Sequence, residues 1–418
     1  MTEEPRWWRW LAILALAVGV LLRAWPWLVE PLLFFEDGTV FFGPNYAQFG
    51  WHSLARPYAG YVPFGANVSA VLLCRLPTEW IPTAFVATAS LVQLAAGCSL
   101  LGRSWAAVAA FWIRGLLAAV IVLLPIGSHI EFTTLAYMQW PMLCWLFLLL
   151  VAPATRCEGT GRVRGCLRAA LCVFLTLSHP LAVVLLPLVL MRSVRAAQRV
   201  RWASYVGALL GYWLVAGLLI RAHGAPESAT SLLRVFELAP ALLVRVGLES
   251  VVGFEGWQWL NGGGTVVAYC AAILCWLLAG FLVWLAVRQW RPATSTFALA
   301  CGWLTIAPLA VAFVARDHDW HDQWIVRYLW LSRVGFLSVL ALSVTTLLPR
   351  WLVAGLALAL AIALTHGNKC FHSHASGAEE LHQFLGRLHA KEQRDGHRRQ
   401  INELLNRAAQ PPIRIHPQ

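Results

Sequence analysis

Apolar positions in this chain neither alternate with polar ones nor keep to a single stripe; they gather in long runs separated by short polar breaks. Such runs occupy about 8–28, 81–101, 106–127, 138–154, 166–178, 181–191, 203–221, 264–287, 295–315, 324–347 and 351–366. Most approach the roughly 20 residues that a helix needs to cross about 30 Å of hydrocarbon. In lipid only helices and closed barrels satisfy every backbone polar group, and barrel strands would alternate. The pattern therefore predicts an all-α polytopic membrane protein with about eleven transmembrane helices. The fifth and sixth runs are too short to cross separately at full thickness, so a tilted or partly buried pair is expected around Ser178, His179 and Pro180. The transmembrane domain takes in residues 1–366, with outside loops at 29–80 and 222–263. A polar tail, 367–418, carries a helix-like stretch from Glu379 to Ala409 that Pro411 and Pro412 stop.

Composition agrees with lipid as the solvent. Of 418 residues, 59% are hydrophobic and 12% charged, and the mean hydropathy is +0.64. A net charge of +12 raises the question of nucleic acid. The arginines, however, are spread among short loops: Arg103, Arg156, Arg162, Arg192, Arg288, Arg291 and Arg350 fall on one side if the N-terminus is cytoplasmic. That is the positive-inside pattern, and it implies no nucleic-acid partner. The acids before the tail then fall mostly outside, where any chemistry is expected. Trp7, Trp8, Trp10, Trp25, Trp80, Trp105, Trp140 and Trp284 sit where runs begin or end, as interfacial belts do, whereas Trp276 and Trp303 lie within runs and suit helix packing. The ten cysteines show no C-x-x-C spacing, so neither a disulfide framework nor a zinc site is inferred. No fixed-period repeat and no glycine-rich phosphate loop is present.

Candidate chemistry concentrates just outside the first span. Glu36-Asp37-Gly38 places two adjacent carboxylates there, and a carboxylate in a sheltered cleft can take a proton from an attacking hydroxyl or hold a divalent cation. The same loop carries Tyr58 and Tyr61, suited to sugar or phosphate or to anchoring at the interface, and an apolar stretch up to Arg75 expected to lie along the membrane surface. The next outside turn holds His129 and Glu131, able to move a proton or to order the first-loop acids. Gln139 and Trp140 follow, with an amide and an indole that can hydrogen-bond to and stack on a sugar. His179-Pro180 reads as a helix break. The acids and imidazoles of 316–322 match no metal-ligand spacing and read as a hydrated loop, so the metal ligands are unassigned. Arg327-Tyr328 opens the following span, where the guanidinium can grip a phosphate or snorkel to the interface.

Together, the Glu36-Asp37 loop, Pro57-Tyr58-Ala59-Gly60-Tyr61, the Glu131 to Trp140 turn, Ser178-His179-Pro180 and Arg327-Tyr328 resemble multispanning bacterial glycosyltransferases of the GT-C fold, over about residues 8–345. The resemblance implies transfer of a sugar from a polyprenyl-phosphate carrier to an acceptor on the outer face of the bacterial inner membrane. Asp37, with Glu36, would then be the catalytic carboxylate, and Arg327 would stabilise the departing lipid phosphate. Substrate contacts would fall to Tyr328, Glu131, His129, Gln139, Trp140, Tyr58 and Tyr61. The short tail leaves little room for an acceptor domain. The rival expectation is a transporter or lipid flippase, which shares the helix count; Arg114 and Arg333 are the main charges within its spans.

Overall fold

The computed structural model describes residues 5–29, 33, 36–47, 50–58, 61–124, 134–153, 162–190, 196–223, 238–315, 326–349, 351–353 and 355. These residues are overwhelmingly helical, and among them no strand occurs beyond one isolated bridge between Tyr58 and Tyr61. The sequential α-helices are α1 (Arg6–Val29), α2 (Gly43–Ala47), α3 (Phe64–Leu73), α4 (Ile81–Cys98), α5 (Phe111–Leu123), α6 (Gln139–Val151) and α7 (Arg162–Leu177). They continue as α8 (Leu186–Leu190), α9 (Ala196–His223), α10 (Leu238–Pro240), α11 (Glu249–Gly262), α12 (Thr265–Val287), α13 (Pro292–Ala315) and α14 (Val326–Leu347). Among the described residues, five stretches are long and apolar enough to cross a membrane: Arg6–Trp25, Thr78–Leu101, Thr265–Val287, Pro292–Phe313 and Tyr328–Leu347.

Interhelical hydrogen bonds place α1 and α5 with their C-terminal ends where α14 begins, and set α13 antiparallel to α14. At one end Arg23 donates to the Leu123 carbonyl and Trp330 Nε1 to the Leu124 carbonyl. At the other, Thr294 Oγ1 donates to the Val108 carbonyl and Trp290 Nε1 to Thr346 Oγ1. The first end holds Asp37; the second holds Arg103, Arg288 and Arg291. Lipid gives helices no hydrophobic drive to associate, so close backbone approach through small residues has to do it. At the α13–α14 crossing a Cβ on Gly335 would stand 2.5 Å from the Cys301 carbonyl oxygen and 2.7 Å from Thr305 Oγ1. Gly264, at φ 113°, makes the tight turn between α11 and α12 that an L side chain would strain.

Three features depart from the expectations above. Residues 238–262, expected within an outside loop, form one continuous helical run through α10, a π-helical segment Ala241–Leu248 and α11. The π segment packs on the middle of α12, where Trp276 Nε1 donates to the Leu242 carbonyl. Its buried charge is partly compensated: Glu249 accepts from Arg245 Nε at 2.7 Å and forms an ion pair with Arg333 of α14 at 2.5 Å, all three buried. Second, α3 is not held at a surface alone: Ala66, Ala70 and Val71 pack into the bundle while Leu72 stays exposed. Third, Trp105 and Trp140 are buried, not part of a belt, although Trp7, Trp8, Trp10, Trp25, Trp80 and Trp284 are exposed. The helix does break at Ser178–Pro180, between α7 and a 3-10 turn, Pro180–Leu185. Most of 351–366 and all of the tail 367–418 lie outside the described residues.

Candidate functional site

The chain leaves α1 and enters a second π-helical segment, Asp37–Phe42, with Glu36 as its cap residue. Asp37 is buried, 2% exposed, and Glu36 nearly so. The turn before α6 supplies the partners. The amide of Leu135 donates to Asp37 Oδ2 at 3.0 Å and that of Ala136 to Oδ1 at 2.8 Å. Two convergent backbone amides suit an anion. Burial nevertheless dominates and, with a smaller push from the Glu36 charge, lifts the Asp37 carboxyl to about 7 against the two amide bonds.

Tyr58 and Tyr61 exchange backbone hydrogen bonds, 2.7 and 3.0 Å, in a miniature hairpin that fixes both rings. Tyr58 OH donates to Glu36 Oε1 at 2.5 Å, and Gln139 Nε2 donates to Tyr61 OH at 2.9 Å. The loop after α1 is thereby stitched to the first turn of α6. Beside Gln139, the Trp140 indole meets the His179 ring edge-on at 4.5 Å and the Tyr328 ring at 4.9 Å. His179 Nδ1 accepts the Leu181 amide at 2.9 Å, capping the 3-10 turn. The helix break thus does more than end α7: it carries an imidazole to the Trp140 indole. Trp140 Nε1 and Gln139 Oε1 are buried and find no hydrogen-bond partner among the described residues. Buried polar atoms of that kind are rare without a ligand or water to meet them.

The structure therefore brings Glu36, Asp37, Tyr58, Tyr61, Gln139, Trp140, His179 and Tyr328 to one end of the bundle, from five separate chain segments. His129, Glu131 and the loop 316–322 lie outside the described residues, and of Arg327 only the backbone, in the first turn of α14, is described. Among the described residues no group of three or more His, Cys, Asp and Glu side chains gathers as metal ligands. Comparison of the chain with known protein families, with curated proteins and with solved structures finds no match.

Proposed function

We propose that this chain is a GT-C-like membrane glycosyltransferase that moves a sugar from a polyprenyl-phosphate carrier to an acceptor on the extracytoplasmic face of a bacterial inner membrane. On this reading the helices of the bundle and the run 351–366 make up about eleven passes. The observation that carries the proposal is the buried Asp37 carboxylate, pinned by two amides yet raised to about 7, beside a wall of tyrosine, amide and indole. A base with a pKa near the working pH is the kind that proton abstraction favours.

The acceptor hydroxyl gives its proton to Asp37 as its oxygen bonds to the anomeric carbon. The bond between that carbon and the phosphate oxygen breaks, and the polyprenyl phosphate leaves with the electron pair. Glu36, held by Tyr58 OH, adds to the lift of the Asp37 carboxyl and so supports its basicity. Trp140 is buried against His179 and Tyr328, so contacts to the sugar's edge fall to the polar groups beside it, Gln139 and Tyr61. Arg327, one residue before Tyr328, is assigned to the departing phosphate, where a guanidinium acts strongly in a low-dielectric cleft. His129 and Glu131, outside the described residues, are assigned to substrate contacts. A divalent cation on Glu36 and Asp37 would neutralise phosphate charge.

The second reading, a transporter or lipid flippase, draws on the buried Arg245–Glu249–Arg333 cluster, because charge inside a membrane bundle often marks a translocation path. Purified protein in vesicles, offered a panel of labelled polyprenyl-phosphate sugars, separates the two. Label in a new glycosidic bond supports the enzyme; label that crosses the bilayer unchanged supports transport.

A further inference from the structure

We infer that the Arg-rich end of the bundle carries a second binding site, for the phosphate of an anionic lipid headgroup. A cavity of about 380 Å³ opens there, lined in part by Ala109, Ala110, Gln289, Trp290, Arg291 and Thr294. It lies near the C-terminal end of α14, about 26 Å along that helix from Tyr328 at 1.5 Å per residue, and so is distinct from the site around Asp37.

Its wall is fixed by bonds that leave the two outermost donors unused. Thr294 Oγ1 donates to the Val108 carbonyl at 2.5 Å, Trp290 Nε1 donates to Thr346 Oγ1 at 3.2 Å, and Thr346 in turn donates to the Leu342 carbonyl. Arg291 and Gln289 are exposed and make no side-chain hydrogen bond or ion pair among the described residues. Among the described residues, no carboxylate lines the cavity.

Backbone charge adds to the guanidinium. Both α5 and α13 begin at this cavity, and their first intrahelical bonds here are Arg114 N–H to the Ala110 carbonyl and Ser295 N–H to the Arg291 carbonyl. The amides of Phe111, Trp112, Ile113, Ala293 and Thr294 thus have no acceptor within their own helices, and the positive ends of two helix dipoles converge on a cavity that already holds an arginine. A lipid is the source this arrangement favours over free phosphate. Val108, Ile113 and Leu342 make part of the lining apolar, and α12, which runs directly into Gln289, exposes Leu278, Phe281 and Trp284 for acyl chains. Basic pockets between helices at a membrane surface suit anionic headgroups.

The test is native mass spectrometry of the full chain in detergent, titrated with phosphatidylglycerol or phosphatidylcholine, with and without inorganic phosphate. The expected result is retention of phosphatidylglycerol about tenfold or more above phosphatidylcholine, lost to the phosphatidylcholine level in Arg291→Ala, as removal of a charge-assisted contact implies. Ala109→Leu, which fills the cavity, has the same effect. Arg288→Ala is the control, since Arg288 stacks on Trp284 at 4.5 Å and does not line the cavity; it retains the lipid. Equal retention of the two lipids, or unchanged phosphatidylglycerol binding in both Arg291→Ala and Ala109→Leu, overturns the site. Full displacement by millimolar inorganic phosphate assigns it to the free anion and overturns the lipid.

Discussion

The Ala136 amide donates to the Asp37 carboxylate across 2.8 Å, joining positions 99 residues apart in the chain. Through this bond and its Leu135 counterpart, the loop that follows α1 and the turn that begins α6 become one unit, and every chemical property assigned to Asp37 follows from being held there out of water.

The transfer rate should depend on pH through Asp37. With the carboxyl lifted to about 7, the base is protonated and inactive below that pH and free above it, so kcat/KM rises with a one-proton limb near pH 7. Glu36→Gln removes a neighbouring negative charge and moves the limb to lower pH. The shift is small, because burial and not Glu36 is the larger cause. A limb that stays at the same pH when Asp37 is replaced by Glu and by Asn would assign the titration elsewhere.

The same shift makes stability pH-dependent. Asp37 binds its proton more tightly in the folded chain, at about 7, than at its ordinary 3.8. Its contribution to stability is therefore full below pH 4 and is lost as pH rises through 7, by on the order of 4 kcal/mol. Thermal denaturation in detergent should show Asp37→Asn gaining on wild type between pH 5 and pH 8. Parallel curves across that range would count against a buried, proton-binding Asp37.

Glu249 is the one carboxylate paired with two buried arginines, so Glu249→Gln should cost about 3–5 kcal/mol. Arg333 would be left paired only with the Arg245 carbonyl, to which its Nε donates at 2.9 Å. Replacing Arg245, Glu249 and Arg333 together by leucine or methionine should cost less than the single change. Denaturation midpoints of the two variants decide it, and a triple variant weaker than Glu249→Gln would show that the charges themselves carry stability.

Gly335→Val should disrupt the α13–α14 crossing, since its Cβ has no space against the Cys301 carbonyl and Thr305. A loss of about 1–3 kcal/mol is expected for overpacking of this kind, read as a lower melting temperature, whereas Gly280→Ala, with open space at its Cβ, should leave it nearly unchanged.

Helix positions were legible because a run of apolar residues has few other uses in a chain of this composition, and Glu36-Asp37 stood out because two acids at a span's edge are costly. Gln139 and Trp140 were legible as types, but that they meet Tyr61 and His179 was not, since those contacts depend on how distant segments fold back. That 238–262, within the expected outside loop, is one continuous helical run was not legible in the sequence, for a definite reason. Arg245 and Glu249 look incompatible with burial until Arg333, far along the chain, is known to stand beside them. His179 was discounted because a proline follows it, and that proline starts the turn that sets its ring against Trp140.

The most direct test is sugar transfer from a polyprenyl-phosphate donor by the purified protein in lipid, comparing wild type with Asp37→Asn after both are shown to be folded. The account predicts transfer by wild type, reduced by at least about 10²-fold in the variant, as expected when a general base is lost. Transfer that survives the substitution would remove Asp37 from the reaction, and a folded wild-type protein that transfers no sugar from any such donor would contradict the glycosyltransferase reading itself.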